Sequence, residues 1–182
     1  MRIAVCGGTG VVGRHVVRVA AARGHEVAVL SRAEGVDLAR GPEDAVDAAL
    51  AGADAVVDVL STSTLSAKGA VAFFTATTRR LLAAEQLTRP VAAAEVADHL
   101  VAVAEGGPVG RAPDLVGPAD DTLAAMIRRL SAHEGTRRRV LEVRLPGRYG
   151  AGLASGALRG GPDAVRGRLS FDDWLGSTVR AG

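Results

Sequence analysis

Ile3-Ala4-Val5-Cys6 is an apolar run with no polar alternation, the pattern of a strand buried on both faces as in a parallel sheet. Gly7 to Gly13 follows as a glycine-rich turn. From Val11 to Arg23 the apolar residues Val12, Val16, Val19 and Ala20 recur at helical spacing, and Gly24 is a natural stop. Glu26 to Ser31 predicts the next strand. A strand, a glycine loop, a helix and a second strand thus fill the first 31 residues, and a crossover of that kind makes the two strands parallel.

The pattern continues with a short helix over Pro42–Leu50, a third strand over Ala55–Leu60, and a hydroxyl-rich loop from Ser61 to Thr64. Ala70 to Gln86 predicts a long helix with Phe73, Phe74, Thr77, Leu81 and Ala84 on one face. Pro90 opens another helix running to about Glu105, ended by Gly106-Gly107-Pro108. Ala112–Val116 reads as a weak strand. Asp120 is a capping residue for a helix bearing Leu123, Met126, Ile127 and Leu130, and Val140–Leu145 reads as a strand. Residues 150–168 read as loop or short helix. Ser170 and Asp173 have capping-box spacing before Trp174 and Leu175. There is no internal repeat and no evident linker.

Composition narrows the class. A chain of 182 residues with 48% hydrophobic residues can bury a real core, which excludes wholesale disorder. Aromatics make up only 3%, so that core is built from Ala, Val and Leu. The formal net charge of +2 gives no bulk attraction to nucleic acid or membrane. The arginine clusters at 79–80, 128–129 and 137–139 lack the aromatic stacking groups of a nucleic-acid surface and read as solvated faces. One cysteine, Cys6, cannot form an internal disulfide. With no signal-peptide core and no stretch near the roughly 18 apolar residues of a membrane helix, the expectation is a soluble, cytoplasmic protein. His15, His25, His99 and His133 show no metal-ligand spacing, so no metal is expected.

The chemistry lies in Gly7-Gly8-Thr9-Gly10-Val11-Val12-Gly13. Gly7 suits the sharp turn out of the strand, Gly10 the close approach of a pyrophosphate, and Gly13 tight packing of helix on sheet. The helix start offers N–H groups and the positive dipole end to phosphates. Its setting between a strand and a helix, with a second strand within about 30 residues, is what the dinucleotide-binding motif requires. The fold class is therefore α/β, a Rossmann-like parallel sheet flanked by helices, truncated, with strand order beginning 3-2-1. Residues 1–86 form the NAD(P)-binding portion, and residues 87–182 a C-terminal helical and strand portion packing on it. At the end of the second strand, where an NAD site commonly carries an acid on the ribose, stand Ser31 and Arg32. A lone Arg is usually a solvated surface group, but a guanidinium pairs well with a 2′-phosphate, and Ser31 adds a donor. NADP is the favoured cofactor and NAD the alternative.

The spacing Gly-Gly-Thr-Gly-Val-Val-Gly resembles the atypical short-chain dehydrogenase/reductase superfamily, in particular the NmrA-like NAD(P)H-binding proteins. Ser31-Arg32, Gly35-Val36-Asp37-Leu38, Gly52-Ala53-Asp54-Ala55-Val56-Val57-Asp58 and Ala72-Phe73-Phe74 to Ala84 also look like that group. So do Pro90 to Ala97, Leu115-Val116-Gly117-Pro118 and Phe171-Asp172-Asp173-Trp174-Leu175. The resemblance implies an NADP-dependent oxidoreductase, with Asp37 and Leu38 near the adenine and Leu60 and Ser61 near the nicotinamide ribose. Otherwise Asp37 is a turn residue and Ser61 a loop hydroxyl. The resemblance breaks between Gln86 and Pro90, where the family carries a fourth strand, a Tyr-x-x-x-Lys helix and two further strands. Here the sole Tyr is Tyr149, in a Pro146–Gly150 loop, and the sole Lys is Lys68. No catalytic residue carries over, and an internal deletion relative to the family is implied. A non-catalytic NADP(H)-binding sensor or decayed relative is the alternative. Without the fourth strand, Arg2–Cys6 becomes an exposed apolar edge, to be filled by Ala112–Val116, by Val140–Leu145 or by a second copy of the chain. The implied partners are the dinucleotide and an unknown small-molecule substrate, with neither nucleic acid nor membrane.

Overall fold

The computed structural model describes residues 1–36, 42–60, 80–84, 86–136, 139–144 and 147–178. The chain divides into two compact units, one of Met1–Thr62 with Ala93–Ala112, the other of Ser63–Ala92 with Pro113–Gly182.

The first unit is α/β. Strand β1 (Arg2–Cys6) pairs in parallel with β2 (Glu26–Leu30) on one side, Ile3 opposite Val27, and with β3 (Ala55–Asp58) on the other, Ile3 opposite Ala55. Helix α1 (Val11–Ala22) connects β1 to β2, and α2 (Glu43–Leu50) precedes β3. Helix α3 (Ala93–Glu105), which the sequence places beyond the residue 86 boundary, belongs to this unit. Strand alternation splits the core in two. Ile3, Val5 and Val57 face Val16 and Ala20 of α1 and Ala97 and Val101 of α3. Ala4, Cys6 and Leu30 face the opposite layer, with Ala49, Leu50 and Ala53.

The sheet order is β2-β1-β3, which corrects the expected 3-2-1. Two constraints account for it. Ile3, Ala4 and Val5 are all 0% exposed, so β1 must satisfy its backbone groups at both edges. Parallel crossovers are also right-handed. With α1 on one face and α2 on the other, the step from β2 must run back across β1, and β3 lands on its far side. The unpaired edge that would recruit a second copy is therefore absent at β1. Neither later segment fills that place: Leu115–Val116 and the strand at Arg139–Val143 both pair elsewhere.

At the far end of α1, Arg23 donates to Glu105 at 2.8 Å and to Asp98 at 3.3 Å, and His25 Nε2 lies 2.7 Å from Glu105. Glu105 ends α3, where the helix dipole disfavours an anion, and these two partners offset that. The hydrogen bond from His25, followed by Arg23, holds the Glu105 carboxyl below the usual glutamate range.

Among the described residues the second unit carries three two-stranded pairings. These are β4 (Arg80–Ala84) parallel to β8 (Arg139–Val143), β5 (Leu87–Thr88) antiparallel to β7 (Asp121–Thr122), and β6 (Leu115–Val116) parallel to β9 (Val165–Arg166). Its helices are α4 (Leu123–His133), α5 (Gly147–Ala154) and α6 (Phe171–Thr178). Strand β4 corrects the helix expected to reach Gln86, because the apolar run Leu81–Ala84 suits either period and pairing decides it. The rest of that expected helix lies outside the described residues. Tyr149 stands in α5 rather than in a loop. Helix α4 is capped by Thr122, whose Oγ1 accepts from Ala125 N at 3.1 Å, and not by Asp120. The Ser170–Asp173 capping box forms as expected, with Asp173 N donating to Ser170 Oγ at 3.1 Å and Ser170 N to the Asp173 carboxylate at 3.3 Å. Among the described residues no helix is long and apolar enough to cross a membrane.

Two outcomes follow. Ile3→Ala should lower stability by about 2–5 kcal/mol in urea denaturation, since it opens a cavity at the centre of the larger core layer. The lowered carboxyl of Glu105 contributes stability that is fully present above the unfolded glutamate value, about 4.3, and is lost as pH falls through the folded one. Glu105→Gln should therefore flatten the acid limb of a Tm–pH curve.

Candidate functional site

The loop leaving β1 is built almost wholly from backbone constraints. Gly7 turns at φ +79°, a conformation that disfavours side chains, and its N–H donates to Leu30 O at 2.8 Å, tying the turn to the end of β2. Gly10 N donates back to Gly7 O at 2.9 Å. A Cβ on Gly13 would clash with Gly7 O and lie 2.7 Å from Gly8 Cα, so the first turn of α1 rides directly on the loop. A Cβ on Gly8 would lie 2.8 Å from a Val29 methyl. Three of the four glycines are thus demanded by the protein's own packing. Gly10 is the exception: its φ of −73° is ordinary, and a Cβ there would meet only Gly7 O, at 3.1 Å. It keeps bare backbone facing outward.

Gly10 is also the N-cap of α1, and no side chain caps the helix. The N–H groups of Val11, Val12 and Gly13 have no intrahelical acceptor, and no acidic residue sits in the first turn to offset the dipole. Thr9, Gly10 and Val11 are exposed, Val11 by 68%. An exposed β-branched residue at an uncapped, unneutralised helix start is poor local design unless an anion completes it.

The loop opens into the crevice at the carboxyl ends of β1 and β3. There the sheet reverses direction, which is the position where open α/β sheets take ligands. Val59 and Leu60 form its other wall: a Cβ on Gly7 would lie 3.2 Å from Val59 O and 3.3 Å from Leu60 N. Leu60, half exposed, donates its N–H to Asp58 Oδ1 at 2.9 Å, which fixes how the chain leaves β3. Asp58 was not singled out from sequence; an acid closing the apolar run Ala55–Val57 was the available signal. Cys6 closes the floor, its thiol pushed up by burial and then by the Asp58 charge.

At the end of β2, Ser31 is buried and Arg32 exposed. Ser31 Oγ accepts from Glu34 N at 3.3 Å and caps a short 3-10 turn (Arg32–Glu34) that swings Arg32 off the sheet end. Arg32 has no ion-pair partner among the described residues. The structure therefore places Gly7–Gly13, Ser31, Arg32 and Leu60 around the carboxyl ends of the three strands. Asp37, Leu38 and Ser61 lie outside the described residues, as does Lys68. Among the described residues, no group of His, Cys, Asp and Glu is arranged to hold a metal ion.

The model of the NAD dependent epimerase/dehydratase family matches residues 3–96, more than half of the chain, and the chain belongs to that family. No curated protein matches it. Among solved structures it is similar to the dTDP-4-dehydrorhamnose reductase of Yersinia enterocolitica, at 10% identity and a TM-score of 0.43, over 78% of this chain and 83% of that one. It is also similar to the human epimerase family protein SDR39U1 (isoform 2), solved with NADPH, at 16% identity and a TM-score of 0.34, over 96% of this chain and 77% of that one.

The packing at Gly13 is testable without any ligand. Gly13→Ala should cost about 1–3 kcal/mol, read as a lower urea midpoint, because the backbone of Gly7 and Gly8 must move to admit the methyl group.

Proposed function

We propose that this chain binds a nicotinamide dinucleotide in the β1/β3 crevice, with its pyrophosphate on the N–H groups that open α1, and that it prefers NADP(H). One observation carries the reading: a helix start with neither cap nor acid, reached through the glycine of the loop that the fold constrains least. Membership of a family named for NAD dependence supports the cofactor class. Gly7, Gly8 and Gly13 shape the loop, Thr9 to Val12 line it, and Leu60 and Ser61 border the nicotinamide side. Asp37 and Leu38 would lie toward the adenine. The preference for the phosphorylated cofactor rests on Arg32, held clear of the sheet and without a carboxylate partner among the described residues, beside the Ser31 hydroxyl.

Within the family, the glycine spacing and the Ser31-Arg32 pair favour the NmrA-like group and an oxidoreductase activity. A specific observation favours the second reading, a non-catalytic NADP(H)-binding sensor. The chain has one Tyr and one Lys, Tyr149 and Lys68, and they do not form a Tyr-x-x-x-Lys pair. The proton donor of ordinary carbonyl reduction has no counterpart here. A cytoplasmic setting suits the single cysteine, which lies buried beneath the loop.

Thermal-shift titration tests the binding. NADPH at 100 times its dissociation constant should stabilise the fold by about 2.7 kcal/mol. Arg32→Ala should weaken NADPH about tenfold, about 1.4 kcal/mol, and leave NADH unchanged. Absence of protection by either dinucleotide would refute the reading. Hydride-transfer assays over quinones, aldehydes and ketones separate the enzyme from the sensor.

A further inference from the structure

The second unit holds a separate cavity of about 300 Å³, at the small end of the range for ligand pockets. Arg89, Arg159 and Arg166 line it together with Gly156, Gly160 and Gly161. Three arginines lining one concave surface concentrate positive charge there, and that concentration needs an explanation.

Asp120 supplies part of it. Arg89 Nε donates to Asp120 Oδ1, and Arg159 Nη1 to Asp120 Oδ2 at 3.2 Å. Arg89 Nη1 also donates to Arg159 O at 3.3 Å. These contacts hold the Asp120 carboxyl below the usual aspartate range, Arg89 being the main cause, so it stays ionised. Asp120 thus serves Arg89 and Arg159 together, and Asp114 stands beside Gly160 on the cavity wall. Each guanidinium has five donors, more than these contacts use. Arg166 is exposed and has no ion-pair partner among the described residues.

The walls are also fixed in advance. Arg166 lies on β9, and Gly167 N donates to Val116 O at 2.7 Å. Gly117 N donates to Arg89 O at 3.2 Å, and a Cβ on Gly117 would clash with the Pro90 carbonyl group. Gly160, at φ +74°, packs where a Cβ would lie 2.6 Å from a Val116 methyl. The backbone carrying Arg89 and that carrying Arg166 are therefore both locked to β6. Arginines carried on fixed backbone, with donors to spare, are a usual recognition device for phosphate or carboxylate.

We propose that this cavity binds the oxyanion group of a small ligand, a phosphate or a carboxylate, with Arg166 as its principal free ligand and Arg89 and Arg159 completing the cradle. The inference does not depend on the dinucleotide reading.

The test titrates inorganic phosphate, and in a parallel arm acetate, into the full chain at an ionic strength held constant with chloride, with Tm as the readout. Phosphate should protect saturably, and Arg166→Ala should raise its half-saturating concentration at least tenfold while leaving the ligand-free Tm and any protection by NADPH unchanged. Arg166→Gln, which keeps more of the side chain, stands in if the alanine variant does not fold. Acetate protection that depends on Arg166 supports the site and assigns a carboxylate ligand. Protection no greater than that from chloride, or undiminished in the Arg166 variants as binding at the glycine loop would give, overturns the proposal.

Discussion

Strand β1 is the constraint on which the first unit depends. It is buried on both faces and hydrogen-bonded along both edges, so a single-residue slip would exchange the Ile3–Val5 face with the Ala4–Cys6 face and misplace both core layers. That rigidity continues past the last strand residue. Gly7 N is held by Leu30 O, Val59 N by Cys6 O, and Gly13 presses on the Gly7–Gly8 backbone. The loop is therefore an extension of the sheet. Its outward-facing N–H groups keep their positions without help from a ligand, the preorganisation an anion site requires.

The same logic separates what the fold needs from what a function needs. Glycines at positions 7, 8 and 13 are explained by torsion or by collision. Gly10 is crowded only mildly, by Gly7 O, and it sits where the helix dipole is least compensated. In the second unit the corresponding surplus is electrostatic. Asp120 explains why Arg89 and Arg159 can approach each other, and it does not explain Arg166. The arginine pair at 128–129 is different: Arg128 donates to Val140 O at 3.2 Å, and Arg129 meets Asp121 and Asp172, so structural partners account for both.

Much of the first unit was legible in the sequence because its signals are local. An unbroken apolar run, a glycine loop and a 3.6-residue period each name their own element, and β1, α1 and β2 follow directly. The side of β1 on which β3 lands is not written in any segment. It depends on which face α2 covers, which emerges only when the whole unit packs. Leu81 to Ala84 misled because four consecutive apolar residues fit a strand and a helix equally well. The arginine cavity escaped notice because Arg89 lies 70 residues before Arg159 and is brought to it only when the unit packs. The glycine loop could be recognised because one contiguous stretch contains all of its chemistry.

The first unit is discontinuous: Ala93–Ala112 returns to it after the chain has already entered the second. During synthesis β1, β2, β3 and α1 leave the ribosome well before α3 does. Until Ala97 and Val101 emerge, the sheet face bearing Ile3, Val5 and Val57 lacks the cover that α3 gives it against water and other nascent chains. The order of translation thus leaves an interval of apolar exposure in every newly made molecule, and chaperone capture would act in that interval.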